Sequence, residues 1–129
     1  MQIGCPKEIK AQEYRVGMTP NAAREAVAHG HGVLIETGAG AGAGFPDQDY
    51  VDAGARIAET AEQVFAEADM IVKVKEPQAV ERARLREGQI LFTYLHLAPD
   101  PDQTHDLLNS GVTAIAYETV TDRSGGLPL

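Results

Sequence analysis

The sequence predicts an α/β fold built on a mostly parallel sheet, and three observations predict it. Short apolar runs alternate with helix-type segments along the whole chain. Most of those runs are continuously apolar rather than alternating, the pattern of strands covered on both faces. The connections are short, as in repeated β-α-β units. Helices are therefore expected on both faces, in three layers.

The strands are expected at Gln2–Cys5, Val33–Thr37, Arg56–Ala58, Met70–Val74, Ile90–Tyr94 and Thr113–Ala116. All but the third are mostly apolar and are expected to be covered on both faces. The helices between them carry end signals. Thr19-Pro20 reads as an N-cap with Pro at the first helical position, and Gly30 lies past the end. Thr60 with Gln63 reads as a capping box, and Asp100-Pro101 with Gln103 repeats the signal before Gly111 closes that helix. Shorter helices are expected at Asp47–Ala53 and Pro77–Leu85.

A length of 129 residues suits one domain. The net charge of -8 repels phosphate backbones and argues against nucleic-acid binding. Cys5 is the single cysteine, so no internal disulfide is possible and a reducing cytoplasm is expected. No apolar run is long enough to span a bilayer, and the opening MQIGCPKEIK lacks the apolar core of a signal peptide. Leu127 and Leu129 follow a Gly- and Pro-bearing stretch without an obvious partner, so the chain is expected to belong to something longer.

In open parallel sheets, ligands bind beyond the carboxyl ends of the strands. Lys7, Glu8 and Arg15 come after the first strand, Lys75 and Glu76 after the fourth, His96 after the fifth and Glu118 after the sixth. Arg grips a carboxylate with two bonds, Lys polarises a carbonyl, and His moves a proton near neutral pH. Together they suit a 2-oxo or 2-amino acid. Each has a plainer reading beside it. Arg15 and Glu13 could form a solvated surface pair. Lys73 and Lys75 share a strand face and could protect an edge strand. His96, among Leu95, Leu97 and Ala98, could be structural.

Other signals are set aside. Gly38, Gly40 and Ala43 fit G-x-G-x-x-A after a strand, with Glu59 downstream, but Gly44-Phe45-Pro46 intervenes before only a short helix. A close-approach loop at the crevice is expected instead of a dinucleotide site. His29 and His31 lack further ligands for a metal, and His29 suits a helix C-terminus. His105 is expected on an exposed helix face, and Cys5 as a packed small hydrophobe.

Several blocks resemble one family. Gly4-Cys5-Pro6-Lys7-Glu8, Glu13-Tyr14-Arg15-Val16 with Thr19-Pro20, and Glu36-Thr37-Gly38-Ala39-Gly40 resemble the opening of alanine dehydrogenases and of nicotinamide nucleotide transhydrogenase alpha subunits. Lys73-Val74-Lys75-Glu76-Pro77, Phe92-Thr93-Tyr94-Leu95-His96-Leu97-Ala98 and Ala116-Tyr117-Glu118-Thr119-Val120 are similar to the alanine dehydrogenase side of that pair. Cys5 and Gly17 stand where other small or apolar residues are common. The resemblance implies NAD-dependent, reversible oxidative deamination of L-alanine to pyruvate and ammonia. It implies that Arg15 binds the substrate carboxylate, that Lys75 contacts the carboxylate and carbonyl and assists proton chemistry, and that His96 is the general acid/base. It implies a flavodoxin- or Rossmann-like catalytic domain over residues 1–129, incomplete without later helices, with the NAD-binding domain after 129. It also implies a homo-oligomer, often a hexamer, when full length, and an inactive chain on its own. A transhydrogenase alpha subunit, a saccharopine-type dehydrogenase and a non-enzymatic sensor of small carboxylates stand as alternatives.

Overall fold

The computed structural model describes residues 1–129. Its strands are Gln2–Cys5 (β1), Gly32–Glu36 (β2), Arg56–Ala58 (β3), Met70–Val72 (β4), Ile90–Thr93 (β5) and Thr113–Ala116 (β6). Its α-helices are Pro20–Ala28 (α1), Asp47–Asp52 (α2), Ala61–Glu67 (α3), Ala79–Arg82 (α4) and Pro101–Ser110 (α5). The strands form one six-stranded sheet in the order β3-β2-β1-β4-β5-β6, and every pairing is parallel.

Side chains alternate across each strand, and the two faces fill two separate cores. Ile3, Cys5, Val33, Ile35 and Val72 pack with Ala23 of α1 and Tyr50 of α2. Leu34, Ile71 and Leu91 pack on the other side with Val64 and Phe65 of α3 and Leu107 of α5. This is the expected three-layer arrangement. Gly4 shows why a small residue is needed on the second face. A Cβ there would stand 2.7 Å from the Ala68 Cβ and 2.8 Å from a Val64 methyl.

The helix ends match the sequence with informative exceptions. Thr19 accepts from the Ala22 N–H, and Pro20 occupies the first turn. Thr60 accepts from the Gln63 N–H, but the Gln63 amide oxygen reaches the N–H of Glu59, one residue before the cap. Asp100 accepts from the Gln103 N–H, whereas the Gln103 amide turns inward to the Leu95 carbonyl. The reciprocal capping box sits instead at Gln78 and Glu81 on the short α4.

The structure corrects two expectations about the strands. β6 is not covered on both faces: Thr113, Ala114 and Ile115 are exposed, because β6 is the sheet edge. β4 ends at Val72 rather than Val74, although Lys73 N–H still donates to the Phe92 carbonyl. The reason is Glu8, whose carboxylate takes the Val74 N–H at 2.7 Å, a donor that a strand neighbour would otherwise have used.

Candidate active site

The strand order places β1 and β4 side by side, while their connections leave on opposite faces. α1 and α2 come after β1 and β2 on one face, and α3 and α5 lie on the other. That divergence opens a crevice beyond the carboxyl ends of β1 and β4. A concave space of about 530 Å³ lies on the α1 side of the sheet. Arg15, Gly17 and Phe45 line it from the loops, and Phe92, Tyr94 and Tyr117 from β5 and from the segments just past β5 and β6.

Arg15 is held by its neighbour. Glu13 receives Nε at 2.9 Å and Nη2 at 2.8 Å, a two-bond fork that also takes the Arg15 main-chain N–H. The Glu13 side chain is only 8% exposed, whereas that of Arg15 is 62% exposed. The Arg15 hydrogen bond, aided by the Lys75 charge, pulls the Glu13 carboxyl down to about 2. The expected surface pair therefore exists, and the same guanidinium lines the cavity. Glu13 occupies one edge of the fork, and five donors leave others for a second carboxylate.

Gly17 brings this loop onto the sheet. A Cβ at Gly17 would meet the Val72 carbonyl oxygen at 2.7 Å and the Lys73 Cα at 2.9 Å, both backbone atoms that cannot swing away. Glycine here lets the Arg15 loop lie directly on the end of β4.

The two lysines after β4 have separate fates. Lys73 is fully buried, with Nζ 3.1 Å from Glu8 and 2.8 Å from Glu81. The edge-protection reading fails, because β4 lies between β1 and β5 and Lys73 points into the interior. Lys75 is half-buried, and its ammonium joins neither the Lys73 cluster nor the Lys10–Glu76 pair. Its carbonyl accepts from the Thr93 hydroxyl at 2.9 Å, which ties the segment to β5.

His96 has a left-handed backbone, with φ of 48°, uncommon for a residue with a side chain. Glu118 stabilises it by accepting the His96 N–H at 2.8 Å and the Leu95 N–H at 3.1 Å. Burial raises the Glu118 pKa, but these main-chain donors outweigh burial and hold it below the usual carboxylate range. The imidazole stacks on Tyr94, with centroids 5.7 Å apart and planes 17° apart. Arg15 and Tyr94 line the cavity. Lys75 and His96 adjoin it through Val74 and Tyr94 rather than lining it themselves. Two holders were not legible as such. Glu118 appeared only as one more carboxylate in the crevice, and Gln103 only as a helix cap.

The glycine-rich stretch is a close-approach loop. It forms a single 3-10 turn at Ala41–Ala43. A Cβ at Gly40 would meet the Tyr50 hydroxyl at 2.7 Å, and one at Gly42 the Tyr14 carbonyl at 2.8 Å. These two glycines accommodate the chain's own residues. His29 caps α1 through the Glu25 carbonyl, and no cluster of side chains suits a metal ion. Cys5 is buried, and burial pushes its thiol up to about 12.

Residues 4–129 match the family described as alanine dehydrogenase/PNT, N-terminal domain. The chain is 56% identical over all its residues to the alanine dehydrogenase of Halomonas elongata and 53% identical to that of Mycobacterium tuberculosis. In both cases it spans 35% of the relative's length. A solved L-alanine dehydrogenase superposes on 99% of the chain with a TM-score of 0.96 at 52% identity, and 35% of that protein is covered. A transhydrogenase from Sinorhizobium meliloti superposes on 95% of the chain with a TM-score of 0.88 at 30% identity, again with 35% covered. Matched over nearly its whole length in sequence and in fold, the chain belongs to the alanine dehydrogenase/PNT N-terminal domain family.

Proposed function

We propose that this chain is the substrate-binding part of an NAD-dependent L-alanine dehydrogenase, which interconverts L-alanine with pyruvate and ammonia. One observation carries the reading: Arg15 reaches the cavity at the β1–β4 crevice, and the segments holding Lys75 and His96 flank that cavity. Arg15 binds the substrate carboxylate through the donors that Glu13 leaves free. Lys75 supplies a positive charge beside the carbonyl, and His96 gives or takes the proton needed as the carbinolamine and imine form and collapse.

Within the Gly38–Gly44 loop, Tyr50 stands against Gly40 and Tyr14 against Gly42, which speaks against a phosphate cradle there. The redox half of the reaction therefore belongs to NAD held outside these residues, and the chain alone is inactive. No helix is long and apolar enough to cross a membrane. A cytoplasmic homo-oligomer, such as a hexamer, completes the reading. A transhydrogenase subunit is the second reading, supported by the likeness to the Sinorhizobium meliloti protein. The Lys75-Glu76 and His96 blocks favour the dehydrogenase.

The test is the kinetics of His96→Ala and Lys75→Ala in the full-length enzyme. Each loses roughly 10²-fold or more in kcat/KM if the residues move protons in the reaction. Near-normal values for both remove the assignment. Titration of the 129-residue chain with NADH, monitored by fluorescence, is expected to show no micromolar binding, and binding in that range would overturn the placement of NAD outside these residues.

A further inference from the structure

His96 is constrained on three sides. Glu118 fixes its main chain and Tyr94 its ring plane. The third constraint is Glu76. Its carboxylate is mostly buried, with one oxygen paired to Lys10. The other oxygen, Oε2, is buried without a hydrogen-bond partner. Buried polar atoms in native proteins almost always have partners, so an orphaned carboxylate oxygen marks a place where a donor is expected. The nitrogen that faces it is Nδ1 of His96, at 3.5 Å. Hydrogen bonds within catalytic groups are often long before substrate binds and tighten in the complex.

We infer that Glu76 is the positioning residue for His96: it takes the Nδ1 proton and so leaves Nε2 as the nitrogen that exchanges protons with substrate. The inference rests on the reading of His96 as the acid/base group. A neutral imidazole carries one proton, and whichever nitrogen donates fixes the other as the acceptor. A carboxylate can only accept when ionised. Burial raises the Glu76 pKa, but the Lys10 hydrogen bond and other donors outweigh it and keep the pKa below the usual range, so the group stays ionised at neutral pH. Stacking on Tyr94 holds the ring plane, and Glu76 faces the Nδ1 edge within it. Glu118, in the 3-10 turn Tyr117–Thr119 at the end of β6, holds the main chain. The His96 side chain is 49% exposed, and Nε2 is the ring nitrogen that Glu76 does not face.

Nitrogen-15 spectra of the histidine side chains test this without any activity. They are recorded on the neutral imidazole, with the signals of His96 identified by their loss in His96→Gln. The expected result is a dominant Nδ1–H form, with Nε2 unprotonated. In Glu76→Gln, which keeps the shape but removes the charge, the Nε2–H form rises several-fold. A wild-type His96 that already favours Nε2–H overturns the inference, and so does a Glu76→Gln spectrum identical to wild type. In the full-length enzyme, Glu76→Gln lowers kcat at least tenfold while KM for pyruvate stays unchanged, because Glu76 touches no substrate. A normal kcat overturns the positioning role. A His96→Ala enzyme with normal turnover sinks instead the functional reading on which it rests, whatever the spectra show.

Discussion

The ammonium of Lys73 stands 2.8 Å from the Glu81 carboxylate, and both side chains are 2% exposed or less. Glu8 completes the cluster at 3.1 Å and also takes the Val74 N–H. One cation therefore bridges carboxylates from the β1 loop and α4, at the point where β4 delivers Lys75.

Removing that cation should be costly. Lys73→Met leaves two buried carboxylates without their cation, and breaking a buried pair costs about 3–5 kcal/mol. Urea unfolding of the variant checks this, and a loss below about 1 kcal/mol, the range of surface pairs, would show that the cluster is solvated.

The same cluster sets a pH dependence. Burial lowers the Lys73 pKa, but Glu81 and Glu8 outweigh it and raise it above 10.5. A group whose pKa is higher in the folded state stabilises fully below its unfolded value and loses that contribution as pH rises through the folded value. Wild-type stability should therefore fall on the alkaline side of 10.5 more steeply than that of Lys73→Met. Parallel slopes for the two proteins in urea midpoints across that range argue against it.

Gly17→Ala should loosen the site from a distance. The new methyl would press on the Val72 and Lys73 backbone at 2.7–2.9 Å, and overpacking of this kind costs about 1–3 kcal/mol. The Arg15 loop must lift to relieve it. Thermal melting reads the first effect, and altered amide shifts from Glu13 to Val16 read the second. An unperturbed loop would contradict the close approach.

Glu13 should titrate far below an ordinary glutamate. Its carboxyl carbon shift, tracked through an acid titration, is expected to move at about 2 in the wild type and to return toward 4.5 in Arg15→Gln. A midpoint that ignores the substitution rules out the two-bond fork as its cause.

Cys5 should be inert. With the thiol buried and pushed up to about 12, the native protein should not react with a disulfide reagent, because the thiolate is the nucleophile. One thiol should appear after denaturation. Rapid native labelling would show that the β1 end opens to solvent.

Much of this architecture was readable from the chain. Continuous apolar runs at Ile3, Val33–Ile35 and Ile71–Val72 marked strands with two covered faces, and the caps at Thr19, Thr60 and Asp100 marked helix starts. Both signals are local, set by side-chain period and by neighbours within a turn. The exposed face of Thr113–Ile115 was not readable, because coverage depends on where a strand sits in the sheet. Lys73 and Lys75 look equivalent in sequence. Only the presence of Glu8 and Glu81 around one of them makes it interior. The orientation of Gln103 was hidden for the same reason, since its amide chose the Leu95 carbonyl over its own helix.

The sequence by itself determined the period, punctuation and strand-end chemistry, including the placement of Arg15, Lys75 and His96 after strands, because those depend on residues close along the chain. Tertiary structure alone decided which groups touch. The adjacency of β1 and β4 put Glu8 against Lys73, that of β4 and β5 put Glu76 against the His96 ring, and that of β5 and β6 put Glu118 against its main chain, and such pairings are set by packing across the sheet that no local spacing encodes.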